Sequence, residues 1–248
     1  MNILAISNQK GGVGKTTTAL NLGAGLAELG RRVLLIDLDP QASLTLATVG
    51  DSSGASMAEV IGGAQPGTLA ISQIIKPILQ GLDIAPADIA LSVSELGMTA
   101  RLGRESVLIK ALANVKGYDI CLIDCGPSLG LLAVNALGAA DAVIIPTLPA
   151  ALDLRGLRLF LQSVEQVKAE LNQQLEILGV LVCQFDGRYT LHNEALEMLQ
   201  TAGLPLFDVV IGKSVKAAES AGAGQPVSNG KLAEQYKKLA CEVNQWLK

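Results

Sequence analysis

A glycine-rich segment near the start of the chain carries residue types that bind phosphate. It reads Gln9-Lys10-Gly11-Gly12-Val13-Gly14-Lys15-Thr16-Thr17, between an apolar run and a helical pattern. The glycines let the backbone wrap so that its N–H groups face a phosphate, and the following helix directs its positive end there. Lys15 is placed to reach β- and γ-phosphate oxygens, and the Thr16 hydroxyl to ligate Mg²⁺. The stretch Lys10–Thr17 therefore predicts an ATP site with magnesium.

The loop departs from the standard phosphate-binding pattern at its first position. Gln9 stands where GxxxxGK[ST] has its first glycine, while the rest of the pattern is intact. Lys10 has two interpretations from physics alone. It is either a solvated lysine beside the loop or a second cation directed at the phosphates.

Carboxylates follow two later apolar runs. Asp37 and Asp39 close the run that starts at Val33, and Asp124 closes the run Ile120–Asp124. Asp37 and Asp39 have the same parity, so on an extended segment both face one way, towards the phosphate loop. The alternative for this pair is a capping role before a turn. Asp124 is expected to hold Mg²⁺ through a water molecule.

Composition limits the class of protein. The chain has 248 residues, half of them hydrophobic and 3% aromatic, with a formal net charge of −4. This fits one α/β domain over residues 1–248 and excludes a grossly cationic chain. The four cysteines form no CxxC pair and are expected to be reduced thiols. Neither a signal peptide nor an apolar run of about 18 residues is evident, which favours a cytoplasmic protein.

Short apolar runs alternate with helical patterns, which predicts a doubly wound, mostly parallel sheet with helices on both faces. The predicted strands are Ile3–Ser7, Val33–Leu38, Leu82–Ala85, Ile120–Asp124, Ala142–Pro146, Ile177–Cys183 and Phe207–Ile211. The predicted helices are Lys15–Leu29, Ser106–Val115, Leu129–Ala139, Leu154–Leu171, Leu191–Ala202 and Lys231–Leu247. A mobile connection with one short helix is expected over Gly50–Gly67. Ligands of such sheets lie at the carboxyl ends of the strands, where the carboxylates above are found.

Lys10–Thr17 and the segment Val33–Gln41 resemble the deviant Walker A ATPases of the ParA/MinD family, and the resemblance extends over nearly the whole chain. It implies that ATP joins two subunits and that Lys10 reaches the partner's nucleotide. It also implies that Asp39 orients the attacking water, while Asp37 supports the Mg²⁺ shell and Lys15. Lys10, Lys15 and Asp39 would then form the catalytic set. Because this set lacks an arginine finger, slow hydrolysis stimulated by a partner is expected.

Three positions depart from the family pattern. Gly126 replaces a usual proline in the loop after Asp124, and Gly212 replaces another near the expected adenine. Ala150 replaces a usual acidic residue. The stiffness of the two loops and the role of the acidic side chain are therefore in question.

Two later segments, Gly179–Arg188 and Val210–Glu219, resemble those with which small ParA proteins hold DNA without reading its sequence. The matching cations are Arg188 and Lys216, with Lys213 nearby. Charge alone is a weak argument, because Cys183–Lys248 contains seven basic and seven acidic residues. Scattered lysines on a solvated surface remain the alternative.

The resemblance implies a partition ATPase that acts on a chromosome or plasmid. Its partners would be a second copy of the chain, nonspecific DNA and a ParB-like centromere-binding or adaptor protein, which places it on the nucleoid. The phosphate loop begins within ten residues of Met1, so the small type without a helix-turn-helix is expected. Alternatives are a positioner of protein cargo, a MinD-like membrane-cycling regulator and an iron-protein relative. The amphipathic C-terminal helix is expected to dock on the sheet rather than on a membrane, and Cys125 is the residue that suggests a metal cluster.

Overall fold

The structure, a computed structural model, describes residues 1–50, 54–214 and 225–247. The strands in these ranges are β1 (Asn2–Ile6), β2 (Val33–Leu38), β3 (Lys76–Leu79), β4 (Leu82–Ala85), β5 (Ile120–Cys125), β6 (Ala142–Thr147) and β7 (Glu176–Val182). They form one sheet in the order β3-β4-β2-β5-β1-β6-β7. Every neighbouring pair is parallel except β3 with β4. The predicted doubly wound, mostly parallel sheet is therefore confirmed.

Helices cover both faces of this sheet. They are α1 (Lys15–Glu28), α2 (Ser43–Leu46), α3 (Met57–Ile61), α4 (Ala90–Met98), α5 (Val107–Leu112), α6 (Leu131–Ala139), α7 (Ala151–Glu170), α8 (Thr190–Thr201) and α9 (Gly230–Trp246). Side chains alternate between two hydrophobic layers along each strand. On β2, Val33 and Leu35 join the layer of α1, α2 and α9. Leu34 and Ile36 join the layer of α3 to α8.

Two glycines let α1 pack closely between the sheet and α9. A Cβ at Gly23 would lie 2.9 Å from Leu35 Cδ2, and a Cβ at Gly25 would lie 2.8 Å from Ala240 Cβ. Both distances are shorter than real Cβ contacts allow. Larger residues would push α1 outwards, and α1 begins at the phosphate loop. These two glycines therefore help to set the position of the loop.

One predicted strand is wrong and another strand was not predicted. Phe207–Ile211 forms no regular strand, because only isolated bridges, Val180 to Leu206 and Phe185 to Gly212, join its region to the end of β7. The amides of Phe207 and Ile211 bond to β7, whereas those of Asp208 and Val209 bond to a side chain of α9. The unpredicted strand β3 pairs with β4 at the edge of the sheet, where Pro77 is tolerated because an edge strand need not donate every N–H.

The predicted strands Val33–Leu38 and Leu82–Ala85 have the expected bounds, and the other predicted elements are present with shifted ends. The connection over Gly50–Gly67 contains the expected short helix, α3, which starts with a capping box between Ser56 and Glu59. The short helices α2 and α4 were not predicted. Leu232, Tyr236, Leu239 and Val243 of α9 are buried, so the expectation that this helix docks on the sheet layer is confirmed. Among the described helices, none is both long and apolar enough to cross a bilayer.

Candidate nucleotide-binding site

The phosphate loop has the backbone shape that its glycines allow. Gly12 and Gly14 have φ of 73° and 99°, in the left-handed region that favours glycine. Gly14 is the N-cap of α1, so the unpaired amides of the first turn of the helix lie at the loop. Asn8 anchors the loop: its side chain donates to Pro146 O (2.7 Å) and accepts from Lys10 N (3.1 Å). Asn8 was not predicted, although its place two residues after the end of β1 could have indicated it.

Lys15 is nearly buried in the loop. Its Nζ donates to Lys10 O at 3.0 Å. Burial lowers the pKa of Lys15, and the nearby Asp124, Cys125 and Asp39 act in the opposite direction. The ammonium group is thus held inside the loop by one backbone carbonyl. From there it can exchange this carbonyl for a phosphate oxygen without a large movement of the chain.

Asp37 and Asp124 are brought together by the register of the sheet. The two residues are direct partners in the parallel pairing of β2 with β5. Asp37 accepts from Asp39 N (3.1 Å), Thr45 N (2.8 Å) and Thr45 Oγ1 (2.7 Å). Burial nevertheless raises its pKa to about 6, against the effect of the Thr45 bonds. Thr45 was not predicted, and nothing in its sequence context indicates it.

Asp124 is fully buried, and neither carboxylate oxygen has a hydrogen-bond partner of ordinary geometry in the described part of the chain, although the Thr16 hydroxyl lies close to it. Burial raises its pKa well above the ordinary value, and Asp37 adds to this, while the Thr16 hydroxyl and Lys15 lower it. Unpartnered buried carboxylate oxygens are costly unless a cation or a donor completes them. Thr16 and Asp124 are therefore suited to magnesium, which binds through few protein ligands together with water and phosphate oxygens.

The described residues contain no group of three or more His, Cys, Asp or Glu side chains arranged to hold a metal by themselves. A magnesium ion here would need oxygens from a nucleotide and water. Cys125 lies buried at the end of β5, and burial raises the pKa of its thiol to about 12. This environment does not present the thiol at a surface and so gives no support to the iron-protein alternative.

Asp39 lies just beyond β2, partly exposed, with its Oδ1 accepting from Gln41 N at 2.9 Å. The loop after β5 passes directly beneath it. A Cβ at Gly126 would lie 3.3 Å from Asp39 Cγ. The glycine that departs from the family pattern therefore leaves room for this carboxylate.

Lys10 lies on the exposed side of the phosphate loop. Its carbonyl and its amide are both used within the subunit, by Lys15 and Asn8. The backbone at Lys10 is therefore fixed while its side chain reaches the surface. The two interpretations offered by the sequence differ only in what this side chain contacts when nucleotide is bound.

The structure separates the predicted DNA-binding residues into three cases. Arg188 is paired with Asp186, at 2.6 Å between Nη2 and Oδ2, and its side chain is 86% exposed. Lys213 is exposed and lies with Arg188 along one cleft. Lys216 lies outside the described residues. Two of the three cations are thus shown on the same face.

This cleft has a volume of about 730 Å³ and lies between the end of β7, the segment around Gly212 and the start of α9. It adjoins the phosphate loop, because Gln184 Nε2 donates to Gly12 O at 2.8 Å and the next residue, Phe185, lines the cleft. Gln184 holds a left-handed conformation, with φ of 56°. Sequence reasoning missed Gln184. Ala150, the third departure, is the exposed N-cap of α7.

A glycine loop entering a helix, a buried lysine and paired carboxylates at strand ends define a P-loop nucleotide-binding protein. A family model described as "AAA domain" matches residues 1–177. The chain is 41% identical to the chromosome partitioning protein ParA of Caulobacter vibrioides, over 98% of this chain and 94% of that protein. It is 40% identical to the sporulation initiation inhibitor protein Soj of Bacillus subtilis, over 97% of each.

A solved structure of a differently named protein has a similar fold. Cobyrinic acid a,c-diamide synthase from Mycobacterium smegmatis, with bound ATP analogue and magnesium, superposes with a TM-score of 0.86 at 36% identity, covering 99% of this chain and 96% of that one. That neighbour carries the two ligands expected from the sequence. The chain belongs to the ParA/Soj family of P-loop ATPases.

Proposed function

We propose that this chain is a magnesium-dependent partition ATPase that cycles between a free subunit and an ATP-bound, DNA-bound homodimer. The observation that carries the ATPase part is Asp124: among the described residues its two buried oxygens make no hydrogen bond of ordinary geometry, and Lys15 and the Thr16 hydroxyl lie close to it. All predicted ATP and magnesium residues lie on the loop after β1, in the first turn of α1 or at the ends of β2 and β5. Residues 1–248 would thus act as one ATPase domain.

Each residue has a part that its position supports. Lys15 and the loop amides bind and orient the β- and γ-phosphates and stabilise charge on the transferring group. Thr16 and Asp124 would hold magnesium, which when bound neutralises phosphate charge, and Asp37 supports the position of its neighbour Asp124. Asp39, partly exposed and held by Gln41 N, accepts a proton from or orients the attacking water.

The exposed position of Lys10 supports dimer formation. A cation on the outer side of the loop can reach a nucleotide held by a second copy of the chain. In ParA/Soj-type relatives, as the sequence resemblance implies, this contact couples ATP binding to dimerisation. Two copies would also double the cations of the cleft face, Arg188 and Lys213, and a doubled basic face favours DNA phosphates. A ParB-like partner would stimulate hydrolysis and release the dimer from the nucleoid.

The test is binding to a nonspecific DNA duplex without nucleotide, with ADP and with ATP and magnesium. We expect binding with ATP only, its loss in Lys10→Ala and its persistence in Asp39→Ala, which binds but does not hydrolyse ATP. Lys116→Ala is the control, because Lys116 is exposed and comes shortly before β5, at the amino end of the strands and away from the phosphate loop. The proposed cycle would be excluded if DNA affinity did not depend on the nucleotide, or if Lys10→Ala bound DNA as well as Lys116→Ala does.

Hydrolysis is measured in the same variants, with and without magnesium. We expect slow turnover in the wild type, abolished by chelation and by Asp39→Ala. If hydrolysis is normal but no nucleotide state binds DNA, the nucleoid role is wrong, and lipid vesicles become the next surface to test. The buried apolar side of α9 argues against that membrane role.

A further inference from the structure

The segment from Pro205 to Gly212 is held from its outer side by α9 rather than by another strand. Glu242 accepts from Asp208 N (3.1 Å) and Val209 N (3.2 Å). Gln235 accepts from Gly212 N (3.1 Å) and donates to Val210 O (2.7 Å). The carboxamide of Gln235 therefore makes the same pair of backbone bonds that a neighbouring strand would make.

Gln235 holds one wall of the cleft that adjoins the phosphate loop. Phe185, Gly212, Lys213 and Gln235 all line this cleft. The opposite end of the cleft is lined by Phe185, whose chain neighbour Gln184 bonds to Gly12 of the phosphate loop. Its volume of about 730 Å³ is in the usual range for a small-molecule site. A nucleotide with its phosphates on the loop would place its nucleoside here.

Gly212 is the weak point of this wall. Glycine has more backbone freedom than any other residue, so an untethered glycine would let the wall move and would raise the entropic cost of binding. The amide of Gln235 lies directly against it: a Cβ at Gly212 would be 3.4 Å from Gln235 Oε1. The Gly212 N–H that bonds to Gln235 would not exist if the residue were proline.

The helix that carries Gln235 is itself fixed to the phosphate-binding half of the site. Ala240 of α9 packs against Gly25 of α1, and Lys237 pairs with Glu28 at 2.9 Å. Asn244 accepts from Arg31 Nε at 2.7 Å. The helix α9 thus connects α1, which begins at the phosphate loop, with the wall at Gly212.

We propose that Gln235 is a positioning residue for the nucleoside: its carboxamide fixes the Gly212 wall at a set distance from the phosphate loop. This inference rests on the proposed ATP site. It concerns only the nucleoside part of the ligand, and tripolyphosphate lacks that part. Gln235 acts through the backbone of Gly212 and takes no part in the chemistry.

The experiment measures the Kd of ATP and of tripolyphosphate, both with magnesium, for the wild type and Gln235→Ala. Two backbone bonds are lost and partly replaced by water, so ATP affinity should fall about tenfold. Tripolyphosphate affinity should not change. Gln245→Ala is the control, because Gln245 is exposed on the same helix.

A double-mutant cycle with Gly212→Pro tests the contact itself. Each substitution alone removes the bond between Gly212 N and Gln235, so the double variant should bind ATP no more weakly than the weaker single variant. Additive losses would overturn the inference.

The outcomes separate this inference from the ATPase proposal. Unchanged ATP affinity in Gln235→Ala refutes the positioning role and leaves the ATPase intact. Equal losses for ATP and tripolyphosphate show general destabilisation of the site, which also refutes it. If the wild-type protein binds neither ATP nor tripolyphosphate, the proposed ATP site is wrong, and so is this inference.

Discussion

Replacing Asp124 by asparagine should make the ligand-free protein more stable and at the same time inactive. The reason is that its carboxylate is fully buried next to Asp37 and makes no hydrogen bond of ordinary geometry with the residues that the structure describes. An uncompensated buried charge costs several kcal/mol, part of which a raised pKa relieves. Asparagine has nearly the same shape and no charge. It also removes the oxygen that would face magnesium.

The magnitude follows from two opposing costs. The substitution removes a charge penalty of about 3–4 kcal/mol, taken from the lower end of the range for buried ions. It leaves an amide without partners, at about 2 kcal/mol. The net gain in the free energy of unfolding is about 1–2 kcal/mol. For a chain of this size that corresponds to a rise in Tm of about 2–8 °C.

The gain in stability from Asp124→Asn should increase as the pH rises. Burial raises the pKa of Asp124, so the folded state keeps this proton at pH values where the unfolded state has lost it. The stability given by the neutral form is complete below the ordinary value of 3.8 and is lost as the pH rises above it. The advantage of Asp124→Asn over the wild type should therefore grow from pH 5 to pH 8.

The assay is thermal unfolding in EDTA and again with ATP and magnesium. We expect the variant to melt higher than the wild type in EDTA and to gain nothing when magnesium is added to ATP. Asp208→Asn, at an exposed carboxylate, is the control and should leave Tm unchanged. A lower Tm for Asp124→Asn in EDTA, or a full magnesium-dependent gain, would refute the reasoning.

Three further predictions concern the loop, the helix packing and the cleft. Lys15→Ala should abolish the Tm rise produced by ATP with magnesium, because Lys15 is the buried cation of the loop; a normal rise would contradict its assigned role. Gly25→Ala should lower the free energy of unfolding by about 1–3 kcal/mol through overlap with Ala240, whereas Gly156→Ala, with nothing within 4 Å, should raise it by about 0.5–1 kcal/mol; urea unfolding compares them. Arg188→Ala should reduce the salt dependence of DNA binding by about one unit of slope, and an unchanged slope would exclude a phosphate contact.

Local sequence was enough to predict much of the fold and the backbone shape of the glycine loop. Apolar strands of the buried type predicted the parallel sheet, because such strands must be covered on both faces. Glycine spacing predicted the loop, since φ of 73° and 99° at Gly12 and Gly14 is open to few other residues. Asp37, Asp39 and Asp124 were predicted from their places at strand ends.

The incorrect and missing strand predictions have a common cause: these segments bond to residues that are not adjacent in the sequence. The segment Phe207–Ile211 has the apolar, β-branched character of a strand, yet only part of it bonds to β7, and the rest bonds to Gln235 and Glu242, which come later in the chain. The strand β3 contains a proline and is short, so its pattern is weak without β4 beside it. Arg188 was predicted from the resemblance of its segment, and the DNA contact expected of it stays a prediction; its pairing with Asp186 was not predicted.

The sequence by itself determined which residues can bind phosphate and which carboxylates end a strand, because those properties depend on near neighbours in the chain. Only the tertiary structure decided that Asp37 and Asp124 are direct neighbours, that Gly126 lies under Asp39, and that Gln235 holds Gly212. Those contacts join residues that are 23 to 87 positions apart. These contacts depend on the register of the sheet and on the docking of the helices. The packing of the two hydrophobic layers as a whole determines both, and no local sequence pattern encodes them.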